Sequence, residues 1–191
     1  MKVGKTLYVS DRKSWRRWLS KHSRRAPEIW LVYYRKDSGK KRIPYNDAVE
    51  EALCFGWIDS LTKPKNAESW VQRFTPRRKG SPLSEMNKER IRRLMKSGKM
   101  TPAGLRSIEH HLVLRPNRRP ALKGFTLPSD ILTALKEDPK VWKNFTHFPD
   151  RYKRIRVAWI DGARKRPEEF DRRLRYLIRM TAGNKRFGMV Q

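Results

Sequence analysis

Six consecutive apolar or aromatic positions, Ile29 to Tyr34, lie inside the segment Glu28 to Lys36 and predict a strand covered on both faces, since a half-exposed strand would alternate. Ahead of it, Lys5 to Val9 reads as a short strand. Ser10 or Asp11 then caps a helix whose Trp15, Trp18 and Leu19 recur at spacings of three and four, with a basic opposite face. Asp37-Ser38-Gly39-Lys40 is a turn, after which Lys41 to Ile43 is expected to return as a partner strand. A helix follows from about Asp47 to Phe55, with Asn46 as cap, Gly56 as stop and Tyr45, Ala48, Val49, Ala52 and Leu53 as its apolar stripe. Ile58 and Ser69 to Phe74 read as two further short strands around a loop containing Pro64, Lys65 and Asn66, with Pro76 ending the second.

Helical spacing dominates the rest. Ser81 or Ser84 opens a helix to about Lys96 that turns Leu83, Ile91, Leu94 and Met95 inward, and Gly98 stops it. Thr101-Pro102 starts another, read to about Leu112. Arg115 to Pro128 holds three prolines, Gly124, four basic and no acidic residues without a period, and reads as a linker. Four helical segments follow, Ser129 to Glu137, Pro139 to Phe145, Asp150 to Lys165 and Pro167 to Thr181, the last two expected to pair as a hairpin. The fold class is therefore α+β: a small N-terminal β-sheet packed with helices, then an all-helical C-terminal region. The division places an α+β domain at 1–114, a basic linker at 115–128, the helical region at 129–185 and a tail at 186–191.

Charge changes this picture most. The 191 residues carry 47 Lys and Arg against 19 Asp and Glu, a net +28, so an anionic partner, nucleic acid or another polyanion, is the first expectation. The longest apolar run is six residues, far short of the ~20 that span a bilayer, which excludes an integral membrane protein of helical type. No apolar stretch of secretory-signal length follows the start, and one cysteine, Cys54, leaves no internal disulfide, so a reducing cytoplasm is the expected location.

The basic excess is interrupted once. From Ile43 to Thr62 there are four acids, Asp47, Glu50, Glu51 and Asp59, and no Lys or Arg. Helical spacing sets Asp47, Glu50, Glu51 and Cys54 on adjoining turns of one face, where like charge makes Cys54 a poor nucleophile and a small buried residue. Two readings of this island are open. Its carboxylates anchor to the chain's own arginines, Arg77 and Arg78 after Pro76 being the nearest, or Tyr45, Glu50, Glu51, Cys54, Trp57, Asp59 and Arg77 form a polar pocket closed by Tyr45 and Trp57. The histidines, His22, His110, His111 and His147, have no zinc spacing, and no phosphate-loop or dinucleotide glycine pattern is present, so no metal or cofactor is expected. Helical faces carrying Arg16 and Arg17, then Lys88, Arg92 and Arg93, then Arg172 and Arg173, suffice for weak phosphate binding, without any signature of a sequence-reading module.

The block Tyr45 to Asp59, reading YNDAVEEALCFGWID, and the segment Arg73 to Gly104, with its FTPR turn and its helix from Asn87 to Gly98, resemble the YdeI/OmpD-associated, or bacteriocin-protection, family. The segment from about Ser129 to Lys185 resembles that family's helical tail, so the resemblance covers nearly the whole chain, with Leu83 standing where many members carry tryptophan. It implies tolerance of bacteriocins or other antimicrobial peptides and an association with outer-membrane protein expression, but no reaction and no catalytic residue. The leading reading is a cytoplasmic, non-enzymatic binding or stress-protection protein. The alternatives are a nonspecific nucleic-acid binder and an enzyme or small-ligand binder working from the Tyr45 to Asp59 region. Direct capture of a cationic peptide is physically unattractive for a +28 protein.

Overall fold

The computed structural model describes residues 2–115, 118–122 and 126–188. The chain divides into two compact units, Met1–Pro82 with Arg90–Ala121, and Leu83–Glu89 with Leu122–Gln191.

The first unit is built on a four-stranded sheet. Strand β1 (Thr6–Tyr8) leads into helix α1 (Arg12–His22), where the Asp11 carboxylate accepts the Ser14 backbone N–H and starts the helix. Strand β2 (Ile29–Tyr34) then pairs parallel with β1, so α1 is a crossover lying on the sheet. As expected, β2 is covered on both faces. Its continuation differs from expectation: Lys41 to Ile43 forms no strand. The Tyr8 hydroxyl donates to the Lys41 carbonyl and Arg42 donates to the Tyr34 carbonyl, so side chains occupy acceptors that a ladder would use.

Helix α2 (Tyr45–Cys54) packs on the same face as α1. The Trp15 indole N–H donates to the Ala48 carbonyl, and Trp15 meets Phe74 edge-on. Gly56, at a left-handed φ of 77°, turns the chain into β3 (Trp57–Asn66). Here the two expected short strands become one long hairpin, β3 with β4 (Ser69–Pro76), giving the sheet order β1-β2-β4-β3. Pro64 lies in β3, and it is tolerated because β3 is an edge strand whose outer side makes no ladder. The register shifts between Asp59 and Thr62, and the buried Gln72 amide donates to the Ser60 carbonyl there. Trp57 is 1% exposed, donates its indole N–H to the Ser23 carbonyl and sits edge-on to Trp18.

Helix α3 (Glu85–Lys96) begins with Ser84 accepting the Asn87 N–H and buries Ile91 and Leu94; the preceding Leu83 is buried too. Helix α4 (Pro102–Arg106) is capped by Thr101 but ends well before Leu112, since the Ser107 hydroxyl turns back onto the Gly104 carbonyl. The Thr101 hydroxyl and N–H both donate to the Cys54 carbonyl, closing the end of α2. Strands β5 (Leu112–Arg115) and β6 (Arg118–Leu122) form a second, two-stranded sheet, which replaces the first part of the expected linker; residues 116–117 and 123–125 of that linker lie outside the described residues.

In the second unit α5 (Ser129–Lys136), α6 (Pro139–His147), α7 (Asp150–Asp161) and α8 (Pro167–Ala182) surround Ile131, Leu135, Val141, Phe145, Tyr152, Ile160 and Leu177. The Asp138 carboxylate caps α6, and the Asn144 amide donates to the Thr181 carbonyl of α8. The chain is thus α+β, with helices prevailing after residue 85.

Candidate functional site

Arg12 and Arg16 stand one turn apart on α1, flanking the buried Trp15 and Leu19, and Asp47, Glu50 and Glu51 occupy the facing side of α2. Packing α1 against α2 therefore brings the two charge sets together. Arg12 Nε donates to Glu51 Oε1 at 2.5 Å, and Arg16 Nη1 to Glu51 Oε2 at 2.6 Å. Arg12 Nη1 also lies 3.2 Å from Asp47 Oδ1 and 3.1 Å from Glu50 Oε2, and Arg93 of α3 donates to Glu50 Oε1 at 2.9 Å. Glu51 is only 2% exposed. Against the pull of burial, the hydrogen bond and charge of Glu51 raise the pKa of both Arg12 and Arg16.

The island is therefore anchored to arginines of the same chain, but not to the expected ones. Arg77 donates instead to the carbonyls of Ser81 and Pro82, and burial lowers its pKa. Proximity in sequence to Pro76 was a poor guide, whereas the i, i+4 spacing of Arg12 and Arg16 matches that of Asp47 and Glu51. That signal was present in the chain.

The pocket residues are not all brought together. Cys54 is fully buried, and its thiol is pushed up to about 11 by burial and by Glu51, partly opposed by Arg16. Tyr45 donates to Asp59 Oδ2 at 2.6 Å, and its hydroxyl is held protonated by burial and by that carboxylate. Trp57 is committed to the α1 end of the core.

The candidate anion-binding cations divide in the same way. Arg16 and Arg93 serve the island, Lys88 lies 2.5 Å from Glu85, and Arg172 and Arg173 both meet Glu169. Arg92 is half-buried and engaged within the chain, while Arg17 is exposed.

Another surface gathers cations with aromatic rings. An open groove of about 400 Å³ is lined by Arg35, Thr62, Lys63, Pro64, Ser69 and Trp70. Trp70 stacks on Tyr33 across β2 and β4 with centroids 5.6 Å apart, and Arg42 lies 5.0 Å over its ring. Lys40 lies 4.5 Å over Tyr34 on the adjoining loop. Sequence alone does not mark these aromatic and basic residues as a site, because there the hairpin that assembles the groove reads as two short strands. Among the described residues, no cluster of three or more His, Cys, Asp or Glu is placed to hold a metal ion, and no helix is long and apolar enough to cross a membrane.

Two families match the chain. Residues 7–107 match a family described only as a domain of unknown function (DUF8412), and residues 124–184 match the family described as bacteriocin-protection, YdeI or OmpD-associated. The Tyr45 to Asp59 block lies in the first match and the helical tail in the second, so the YdeI/OmpD likeness falls on the helical region. No curated protein and no solved structure matches.

Proposed function

We propose, for a chain that belongs to DUF8412 through its first half and to the YdeI/OmpD-associated family through its helical region, a non-enzymatic binding protein of the cytoplasm whose partner is a polyanion, nucleic acid foremost. One observation carries this reading. The carboxylates of the acidic island are taken up from inside, Asp47, Glu50 and Glu51 by Arg12, Arg16 and Arg93, and Asp59 by Tyr45. The longest run of the sequence without Lys or Arg is thereby offset in large part by guanidinium groups, and the surplus of a +28 chain remains outside it.

The groove beside Trp70 supports the choice of nucleic acid, because phosphate attraction by Arg35 and Lys63 is combined with an aromatic edge and the Arg42 plane, both suited to exposed bases. Protection against a bacteriocin then works through the anionic partner, not through capture of a cationic peptide.

Anisotropy of a labelled single-stranded oligonucleotide tests the proposal. Three or more phosphate contacts imply an affinity loss of about tenfold or more between about 50 and about 200 mM salt. Changing Arg35 and Lys63 together to Ala should flatten the log–log salt slope by about 0.7 for each contact removed. No binding at the lower salt concentration would remove the proposal.

A further inference from the structure

The helical unit buries a cation that, among the described residues, no carboxylate meets. Arg156 on α7 is 7% exposed, and its Nε is buried without a hydrogen-bond partner. Burial lowers its pKa, and among the described residues the groups that act on it are the hydroxyls of Tyr152 and Tyr176. A guanidinium cannot shed its proton near neutral pH, so the charge stays, and an unpaired buried charge is a standing cost.

What covers it is the segment following α8. Gly183 and Asn184, the latter at a φ of 51°, end the helix with Lys185 N–H donating to the Met180 carbonyl, which sends the chain back over α7. The Phe187 ring then sits 4.7 Å from the Arg156 guanidinium carbon, and its backbone N–H donates to the Tyr152 hydroxyl at 3.3 Å. Tyr152 offers a second ring at 5.4 Å. Gly188 follows so closely that a Cβ on it would lie 2.7 Å from Arg156 Nη2. Ring faces compensate a cation only in part, and they leave the buried Nε donor without an acceptor.

We propose that Arg156 anchors an anion site for a phosphate group, closed in the free protein by the Phe187–Gly188 strap. Phosphate is favoured over carboxylate by the charges around it. Arg186 acts on the Tyr152 hydroxyl, and Arg179 lies 5.2 Å over the Tyr176 ring, so further positive charge adjoins both tyrosines that act on Arg156, and among the described residues no acid acts on it. The phosphate takes the place of Phe187 and Gly188 over the guanidinium, and the strap lifts about Gly183 and Asn184. This inference rests on α7, α8 and the strap alone and is independent of the groove on the sheet.

The test uses the full chain with inorganic phosphate at constant ionic strength set by chloride, read by thermal melting and by tryptophan emission, since Trp159 touches Phe187 edge-on. Wild type should show a saturable rise in melting temperature and a change in emission, both absent in Arg156→Met. Phe187→Ala removes the strap's ring and should bind phosphate several-fold more tightly. Changing Arg35 and Lys63 to Ala should leave the phosphate response intact. No saturable response in wild type, or an equal one in Arg156→Met, would overturn the site. Unchanged affinity in Phe187→Ala would overturn the closure, and an equally strong response to acetate would overturn the choice of phosphate.

Discussion

Replacing Glu51 by Gln tests whether the acidic island is an anchor. The carboxylate is buried and holds one arginine on each oxygen, at 2.5 and 2.6 Å. Breaking a buried pair costs about 3 to 5 kcal/mol, chiefly because the partner's charge is left uncompensated. Two features place this case near the lower end. Arg12 keeps Asp47 and Glu50, and Arg16 keeps the Lys99 carbonyl and the Phe55 ring. A loss of about 3 kcal/mol is expected, which moves a urea midpoint down by about 1 to 1.5 M if the slope is about 2 to 3 kcal/mol per M. Glu50→Gln is the comparison: its partner Arg93 is more than half exposed, and its other partner Arg12 keeps Glu51, so a smaller loss of about 1 kcal/mol is expected. Equal midpoints for Glu51→Gln and Glu50→Gln would refute the anchor. So would an Arg16→Met, Glu51→Gln cycle in which the two losses simply add.

The same unit supplies three further tests. Trp57→Ala removes a fully packed indole and its hydrogen bond to Ser23, and should cost about 3 to 5 kcal/mol in denaturant melts; a loss below about 1 kcal/mol would contradict its place in the core. Cys54 has its folded pKa raised to about 11, so the unfolded chain gives up the thiol proton first. Stability therefore falls as pH rises from about 8.5, the unfolded value, towards 11, and Cys54→Ala should flatten that limb. Native Cys54 should also resist alkylation at pH 8 until denaturant is added.

The helices of the second unit could be read closely because their ends are marked locally. Asp138-Pro139 and Pro167-Glu168-Glu169 carry cap and dipole signals that need no tertiary information. The sheet was less legible where long-range contacts decide. Pro64 looks like a loop residue until its strand is known to be an edge, and Lys41 to Ile43 looks like a return strand until Tyr8 and Arg42 take the acceptors. The fate of Arg12 and Arg16 was hidden for the same reason. A basic helix face reads as solvated unless the chain shows which helix will lie against it, and that neighbour emerges only once the parallel pairing of β1 with β2 lays α1 on the sheet and α2 packs against it.

The island and Arg156 are two consequences of one scarcity. With 19 acids for 47 basic residues, a carboxylate buried among arginines is withdrawn from the surface and widens the cationic excess there. In the sheet unit that use is made where α1, α2 and α3 meet, and Glu51 gains two guanidinium partners. The helical unit spends its own carboxylates differently: Asp130 and Asp161 share Arg164, and Glu169 holds Arg172 and Arg173. None of these reaches Arg156, whose neighbours are rings and hydroxyls. A structural arginine placed so deeply would be expected to bring its own counter-ion, as Arg12 and Arg16 do. Arg156 brings a removable aromatic cover instead, which is the arrangement that leaves room for an anion supplied from outside.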